Sequence, residues 1–583
     1  MLTWVDWAGV VFFLIISIGI GIYASRFGKN TLTDFFLGGR QTSWWLAGLS
    51  MVATTFAADT PLAVTEIIAQ NGIAGNWLWW NMALGGLLTT FFFARLWYRA
   101  NVVTDLEIIT LRYSGKEAVY LRIFRAFYLG VFLNALIIGW VNLAMMTILQ
   151  VFLAISWTES LFWVSVLMLL TTIYAAYSGL RGVLFTDAFQ FLLAMVGCIT
   201  LAYLVLDLPE IGGLSGLTAK VDPSKLNFFP SLNDGNGFVI GVGSFFAYIG
   251  VQWWASWYPG AEPGGGGYVA QRLMSTKSEN DAQNATLLFQ CLHYAARPWP
   301  WIIVGLAATV LYPTLAPESY KLGYVYAMRD HLPAGLKGML LASFLAAYMS
   351  TLSTQLNWGA SYIVNDAYKF FIDTTATEQK LVWVGKVTTG AMMLFSLLIT
   401  TQLDSIAGAW AFLIECGAGL GLVLILRWYW WRVSAWSEWA ATIIPLVVFG
   451  FCQFWFIVID GKNPNSFFQF PNTFLLTVSL TTIGWLLVTY LFPATDPAVL
   501  QKFVQQVNPP GFWGKYQTAT PSGVFYLLIA WFSGISIVYG ILFAVGKYLF
   551  QESLEATIWA MIAGIGTVTL RYAQKKISTS PGH

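Results

Sequence analysis

At 583 residues, 57% of them hydrophobic, 17% aromatic and 10% charged, the chain excludes an ordinary soluble domain, in which about a quarter of residues are charged. The formal net charge of +2 carries little information, because in a membrane the placement of Lys and Arg matters more than their sum. Cys198, Cys291, Cys416 and Cys452 lie in apolar runs without a CxxC pair and the three histidines are scattered, which excludes a disulfide framework, a zinc site and any other metal cluster as expectations.

The first apolar run, 4–24, follows a terminus without basic residues and ends without a small-residue cleavage site, so it reads as a retained span. The second, 43–69, is long enough to cross a bilayer. Its middle, Ala53-Thr54-Thr55-Phe56-Ala57-Ala58-Asp59-Thr60-Pro61, is not expected to stay helical. Pro61 supplies no amide hydrogen and crowds the preceding turn, so carbonyls near Ala57 lose their partner. Non-helical backbone at membrane depth is tolerated only where it is buried or lines a cavity. Freed carbonyls there are what a cation or polar solute needs; a proline kink with no ligand is the alternative.

Further apolar runs follow at 77–96, 124–153, 161–176, 183–206, 237–258, 287–311, 336–364, 381–401, 406–426, 440–459, 474–491, 522–550 and 556–570, about fifteen spans in all by the length criterion. Alternate connections carry the positive charge, from Arg26, Lys29 and Arg40, through Arg95 to Arg125, Arg181, Arg272 and Lys277, to Arg571, Lys575 and Lys576. The positive-inside rule makes these cytoplasmic, with the N-terminus outside and the C-terminus inside. An integral, multi-pass plasma (inner) membrane protein is expected. Trp257 to Gly267, WYPGAEPGGGG, is a second unwound stretch, and Asp496 to Gly514 holds a short amphipathic helix for the interface.

Within 336–364, Ala347, Ser350, Thr351 and Thr354 fall on one helical face, with Ser353 beside them. Hydroxyls are hard oxygen donors suited to a small alkali cation, and joined to freed carbonyls from Ala53 to Phe56 they make a five-oxygen cage of the kind sodium prefers. Back-bonding of Ser and Thr to their own helix is the alternative. Intramembrane ionisable residues are functional by default; Asp59, Glu66, Asp187 and Glu415 qualify, with a structural role favoured for Glu66 and Glu415. Trp253, Trp254 and Trp257 adjoin the second unwound stretch, where a ring-shaped polar solute could stack or where they belong to an interfacial belt. No nucleophile, base and metal converge, so an enzyme is not expected. Nor is a nucleic-acid partner.

Several pieces together resemble the sodium:solute symporter family: Phe35-Phe36-Leu37-Gly38-Gly39-Arg40, Thr104-Asp105-Leu106-Glu107 with Arg112-Tyr113, Gly179 to Gln190, Gln271-Arg272 with Ser275 and Lys277, and Leu332-Pro333 through Gly338 to Ala347-Tyr348-Met349-Ser350-Thr351, with Asn357 and Asp366. The likeness extends from the first helix to about Leu491. The resemblance implies an all-α polytopic membrane protein with LeuT-type inverted five-helix repeats (5+5) and alternating access by rocking of the repeats. The divisions it implies are an extra N-terminal helix and loop at 1–42, a first repeat at 43–206, an extracellular loop at 207–236, a second repeat at 237–428, and extra C-terminal helices at 429–583 that include a cytoplasmic linker, 493–521.

Carried over by position, the family's main sodium site falls on the carbonyls of Ala53, Phe56 and Ala347 and the hydroxyls of Ser350 and Thr351. A second sodium site, or a release route, falls on Asp187, Ser353 and Thr354. Asp59 matches the acidic position of the sugar-carrying branch, whereas Thr55 lacks the charge of the proline branch, which favours a sugar or polyol; Thr60 stands where the sugar branch has Gln. Asn81 is a further lining candidate by position. The resemblance thus implies Na+ as the coupling ion, no cofactor, a small polar solute and a monomer or weak homo-oligomer in the bilayer. An amino-acid or proton-coupled symporter and a transporter-like sensor are the alternatives.

Overall fold

The computed structural model describes residues 2–25, 31–230, 241–403, 406–463, 466–516 and 522–579. Arg26, Lys29 and parts of the 207–236 and 493–521 connections lie outside them. Among the described residues the chain forms helices and three isolated backbone bridges, with no strand. Among the described residues nine helices are long and apolar enough to cross a membrane, or ten when the pair Trp44–Thr54 and Asp59–Asn71, bent by 58°, counts as one span. The protein is therefore a multi-pass membrane protein.

By this measure the expected fifteen spans are not reached, and the reason is local. The run at 77–96 is broken at Asn81, the run at 237–258 unwinds after Ala255, the run at 287–311 is broken at Arg297 ahead of Pro298–Leu311, and the run at 406–426 is split before Gly419. Conversely, the runs at 161–176 and 183–206 belong to one stretch, Trp157–Leu206, that turns at Gly179 with φ 57°. A Cβ at Gly179 would lie 2.9 Å from the Phe35 carbonyl, so both backbone angle and close approach demand glycine there.

The helix Leu336–Tyr362 is the centre of the molecule: every residue from Leu340 to Tyr362 is buried. It packs against Trp157–Leu206 and against Trp44–Thr54. The first break occupies residues 55–58. Pro61 is not at the break but in the first turn of Asp59–Asn71, where a missing amide is harmless. The two halves lean on different neighbours, Trp44–Thr54 on Glu279–Gln290 and Asp59–Asn71 on Pro298–Leu311, and this divided packing holds the bend.

The second break runs from Ser256 to Gly266. Its backbone is satisfied by another interrupted helix: Trp257 N donates to Gly417 O at 3.2 Å and Gly419 N to Ala255 O at 2.9 Å. Toward the C-terminus, Pro497–Val507 buries Leu500, Phe503, Val504 and Val507 along one face, as the amphipathic spacing predicts. Ser522–Leu549 and Ser553–Thr579 pair as a hairpin, pinned to the core where Tyr539 donates to Trp80 O at 2.7 Å.

Candidate functional site

The first break meets the central helix through hydroxyls. Thr351 Oγ1 donates to Thr54 O at 2.9 Å and stands 3.2 Å from Ala347 O, and Thr54 Oγ1 lies 3.0 Å from Thr354 Oγ1. The carbonyl engaged is that of Thr54, one residue beyond the expected Ala53, whose own carbonyl accepts Phe56 N at 3.0 Å. Ala53, Phe56, Ala347, Ser350 and Thr351 are all buried. Ser350 Oγ donates to Asp187 Oδ1 at 2.7 Å. Because Ser350 and Thr351 both spend their protons on acceptors, their lone pairs remain for a ligand.

Asp187 is fully buried. Ser50 Oγ donates to its Oδ2 at 2.5 Å, and Arg272 Nη2 lies 3.8 Å from the same oxygen. Arg272 also donates to Ser50 Oγ at 3.2 Å, Gln271 Oε1 at 2.7 Å and Thr354 Oγ1 at 2.7 Å. A buried charge pair survives only with such full hydrogen bonding. Of the residues expected to join Asp187, Thr354 reaches it through Arg272. Ser353 does not, because its hydroxyl donates to Ser350 O at 3.0 Å.

Beside this junction a cavity of about 100 Å³ is lined by Thr54, Thr55, Asp59, Thr60, Thr351 and Gln355, by the aromatic rings of Trp79, Trp140, Tyr258, Tyr268, Tyr294 and Trp410, and by His293 and Arg297. That volume admits several waters or a small solute. Asp59 Oδ1, Arg297 Nε and Gln355 Oε1 are buried without hydrogen-bond partners. Buried polar groups are nearly always paired, so two acceptors and one donor on residues of a ring-lined cavity leave hydrogen-bonding capacity there for a polar ligand.

Arg297 also braces the break. Its Nη1 donates to Val52 O at 3.2 Å and Thr55 Oγ1 at 3.1 Å, and its Nη2 lies 3.2 Å from His293 Nε2. Thr55 Oγ1 is 2.8 Å from His293 Nδ1. An arginine can only donate, so His293 presents a lone pair at Nε2 and is neutral, with its proton on Nδ1.

Asp59 and Thr60 therefore line the cavity as expected, whereas Trp253, Trp254, Trp257 and Asn81 do not. Trp253 packs on Trp531 with ring centroids 5.6 Å apart, Trp254 donates to Gly250 O at 2.7 Å, and Trp257 is buried with its amide tied to Gly417. Asn81 Nδ2 donates to its own helix, to Trp77 O at 2.7 Å. The rings from this part of the chain that reach the cavity are Tyr258, in the second break, and Tyr268, in the helix that follows it. His293 and Arg297 are cavity residues beyond those expected from the sequence. The signal was available: an arginine inside the apolar run 287–311, directly before Pro298, is an intramembrane charge.

The sodium:solute symporter family model matches residues 35–444. The sodium/glucose cotransporter of Vibrio parahaemolyticus is 25% identical over 460 residues, covering 74% of this chain and 82% of that protein. Sodium/glucose cotransporter 1 of Sus scrofa is 24% identical over 423 residues, covering 66% of this chain and 61% of that protein. Among solved structures, a Na+-coupled sialic acid symporter in a substrate-bound outward-open state is similar in fold, with a TM-score of 0.67 at 20% identity, covering 85% of this chain and 99% of that one.

Proposed function

From its membership of the sodium:solute symporter family, to which this chain belongs, we propose a secondary-active symporter that uses inward sodium flow to accumulate a small neutral polar solute, a sugar or polyol. The observation that carries this reading is the junction of the first break with the central helix, where the Thr351 hydroxyl meets the Thr54 carbonyl at 2.9 Å beside a cavity with unpartnered polar atoms. Ala53, Phe56, Ala347, Ser350 and Thr351 hold the sodium ion. Two hydroxyls with outward lone pairs and three main-chain carbonyls can replace part of its water shell. Ion and solute then share one wall, Thr54 and Thr351, so each stabilises the arrangement the other needs, which is what coupling requires.

Asp59, Gln355 and Arg297 receive the solute's hydroxyls while the tyrosine and tryptophan rings stack on its apolar face. The relatives named sodium/glucose cotransporters favour a neutral sugar over a proline-like amino acid. Asp187, with Ser50 and Arg272, forms the release route; a second ion there would need Ser353 to leave the Ser350 carbonyl. The breaks at 55–58 and 256–266 are the first helices of two inverted repeats at 43–206 and 237–428, within fifteen crossings that leave the N-terminus outside and the C-terminus in the cytoplasm.

One sodium ion entering across 100 mV supplies about 2.3 kcal/mol, enough for roughly fifty-fold accumulation before its concentration gradient is counted. The test is solute uptake by proteoliposomes with and without a sodium gradient, for wild type and the Ser350→Ala/Thr351→Ala variant. Sodium-dependent uptake that the double variant loses supports the reading. Unchanged sodium dependence in that variant removes the site.

A further inference from the structure

The second break buries two carboxylates that neither the sodium nor the solute contacts use. Glu262, 3% exposed, lies within the break, and Asp105, 8% exposed, lies on the connection that follows Asn101. They meet at Gly267. Asp105 Oδ2 accepts the Gly267 amide at 2.9 Å, and Glu262 Oε1 stands 2.4 Å from the position of a Cβ on Gly267, whose φ is +55°. A side chain at Gly267 would collide with Glu262 Oε1, so glycine is what admits that carboxylate here.

Their hydrogen bonding is unequal. Asp105 accepts on both oxygens, from Gly267 N and, at its Oδ1, from the Tyr362 hydroxyl. Glu262 accepts once, from Gly260 N to Oε2 at 3.1 Å, while its Oε1 is buried and without a partner. Trp358 lies against the same glycine, a ring carbon 3.3 Å from that Cβ position, and its indole N–H is also buried and unpartnered. The titratable and charged groups that face the pair are Tyr268, Tyr362 and Arg427, and Arg427 spends its ion pair on Glu438 at 3.5 Å.

Two neighbouring carboxylates away from water do not both stay ionised; one takes up a proton. Donors on both oxygens favour the ionised form of Asp105, and the bare Oε1 leaves Glu262 as the acid. We propose that Glu262 and Asp105 form a proton-binding site in which Glu262 carries the proton, and that the proton leaves when the segment 256–266 opens. With the proton lost, two adjacent anions repel across Gly267 and the break cannot close. The link to the transport cycle rests on the symporter reading above; the proton itself does not.

Infrared spectra of purified protein near neutral pH test the site without any solute. A carboxylic acid C=O band is expected in wild type and missing in Glu262→Gln; identical acid bands in the two overturn the proposal. Asp105→Asn removes the neighbouring charge, so the same band is expected to titrate away at lower pH than in wild type; an unchanged titration also overturns it, and this second variant keeps the test open if Glu262→Gln fails to fold. Sodium-driven uptake at fixed gradient then reads the link to transport. Wild type is expected to change by about threefold across two pH units while Glu262→Gln stays flat; a wild-type profile retained in Glu262→Gln rejects the link.

Discussion

The two helix breaks solve one physical problem in opposite ways. Each leaves main-chain groups without helical partners at membrane depth, where an unsatisfied group costs several kcal/mol. The first break, residues 55–58, is short and is met by hydroxyls from another helix, Thr351 on Thr54 O and Thr354 on Thr54 Oγ1. The second, residues 256–266, is long and glycine-rich, and is met by main chain and carboxylates: Gly417, Gly419, Glu262 and Asp105. A hydroxyl can exchange a carbonyl for a cation at small cost, because it both donates and accepts. A carboxylate bonded to amides cannot. The first break is therefore built to exchange partners with a cation, and the second to keep its main-chain and carboxylate partners for as long as it stays closed.

The largest expected effect that tests this contrast is at Arg297, which both braces the first break and turns an unpartnered Nε toward the cavity. Arg297→Ala removes hydrogen bonds from a charged donor, each about 1.5–3 kcal/mol, so apparent solute affinity in uptake assays is expected to fall by about a hundredfold. Arg297→Lys restores the charge but not the fork and recovers only part of that loss. An affinity within threefold of wild type in Arg297→Ala would place the solute elsewhere.

Next in size is a change that strikes the second break alone. Gly265 has φ +76°, and a Cβ there would come within 2.6 Å of Trp97 Nε1, whose neighbour in the loop, Gly264 O, accepts that indole N–H at 2.9 Å. Gly265→Ala is expected to destabilise the folded protein by roughly 1–3 kcal/mol through backbone strain and displacement of Trp97, seen as a lower midpoint in thermal unfolding. Apparent sodium affinity should stay near wild type in the surviving folded fraction. If sodium affinity falls in step with stability, the two breaks are not separable.

Much of this contrast was legible in the sequence, and its limits are instructive. The hydroxyl face at Ala347, Ser350, Thr351 and Thr354 was readable because helical spacing fixes which residues share a side, and the glycine-proline tract at 257–267 because nothing else explains such a composition in a membrane. The exact place of the first break was not, since Pro61 is as compatible with a first helical turn as with a rupture. Whether Trp253, Trp254 and Trp257 face the cavity or an interfacial belt was not legible, because spacing says nothing about which side of an unwound segment a ring takes. The breaks at Asn81, Arg297 and 417–419 leave no mark on mean hydropathy, so composition does not separate these runs from plain spans.

A smaller effect belongs to Asp187. Asp187→Asn keeps a hydrogen-bonding side chain for Ser50 and Ser350 but leaves Arg272 uncompensated and withdraws a carboxylate from the ion's exit. Sodium activation of uptake is expected to need about five- to tenfold more sodium, roughly 1 kcal/mol. A wild-type sodium titration would remove Asp187 from the route.

The smallest change is the most discriminating for the first break. Ser353 lies among the hydroxyls of the central helix, yet its Oγ donates to Ser350 O within the same helix at 3.0 Å rather than to Asp187 or the broken helix. A hydroxyl that only back-bonds to its own helix contributes little net stability, about 1 kcal/mol or less. Ser353→Ala is therefore expected to shift half-maximal sodium activation by no more than about threefold, with the steepness of the sodium curve unchanged. If instead the curve flattens and shifts by about tenfold, Ser353 turns during the cycle to join Asp187 and Thr354 around a second ion. The first break would then exchange partners at two places along the central helix, Thr351 and Ser353, while the carboxylate-fixed second break still exchanges none with sodium.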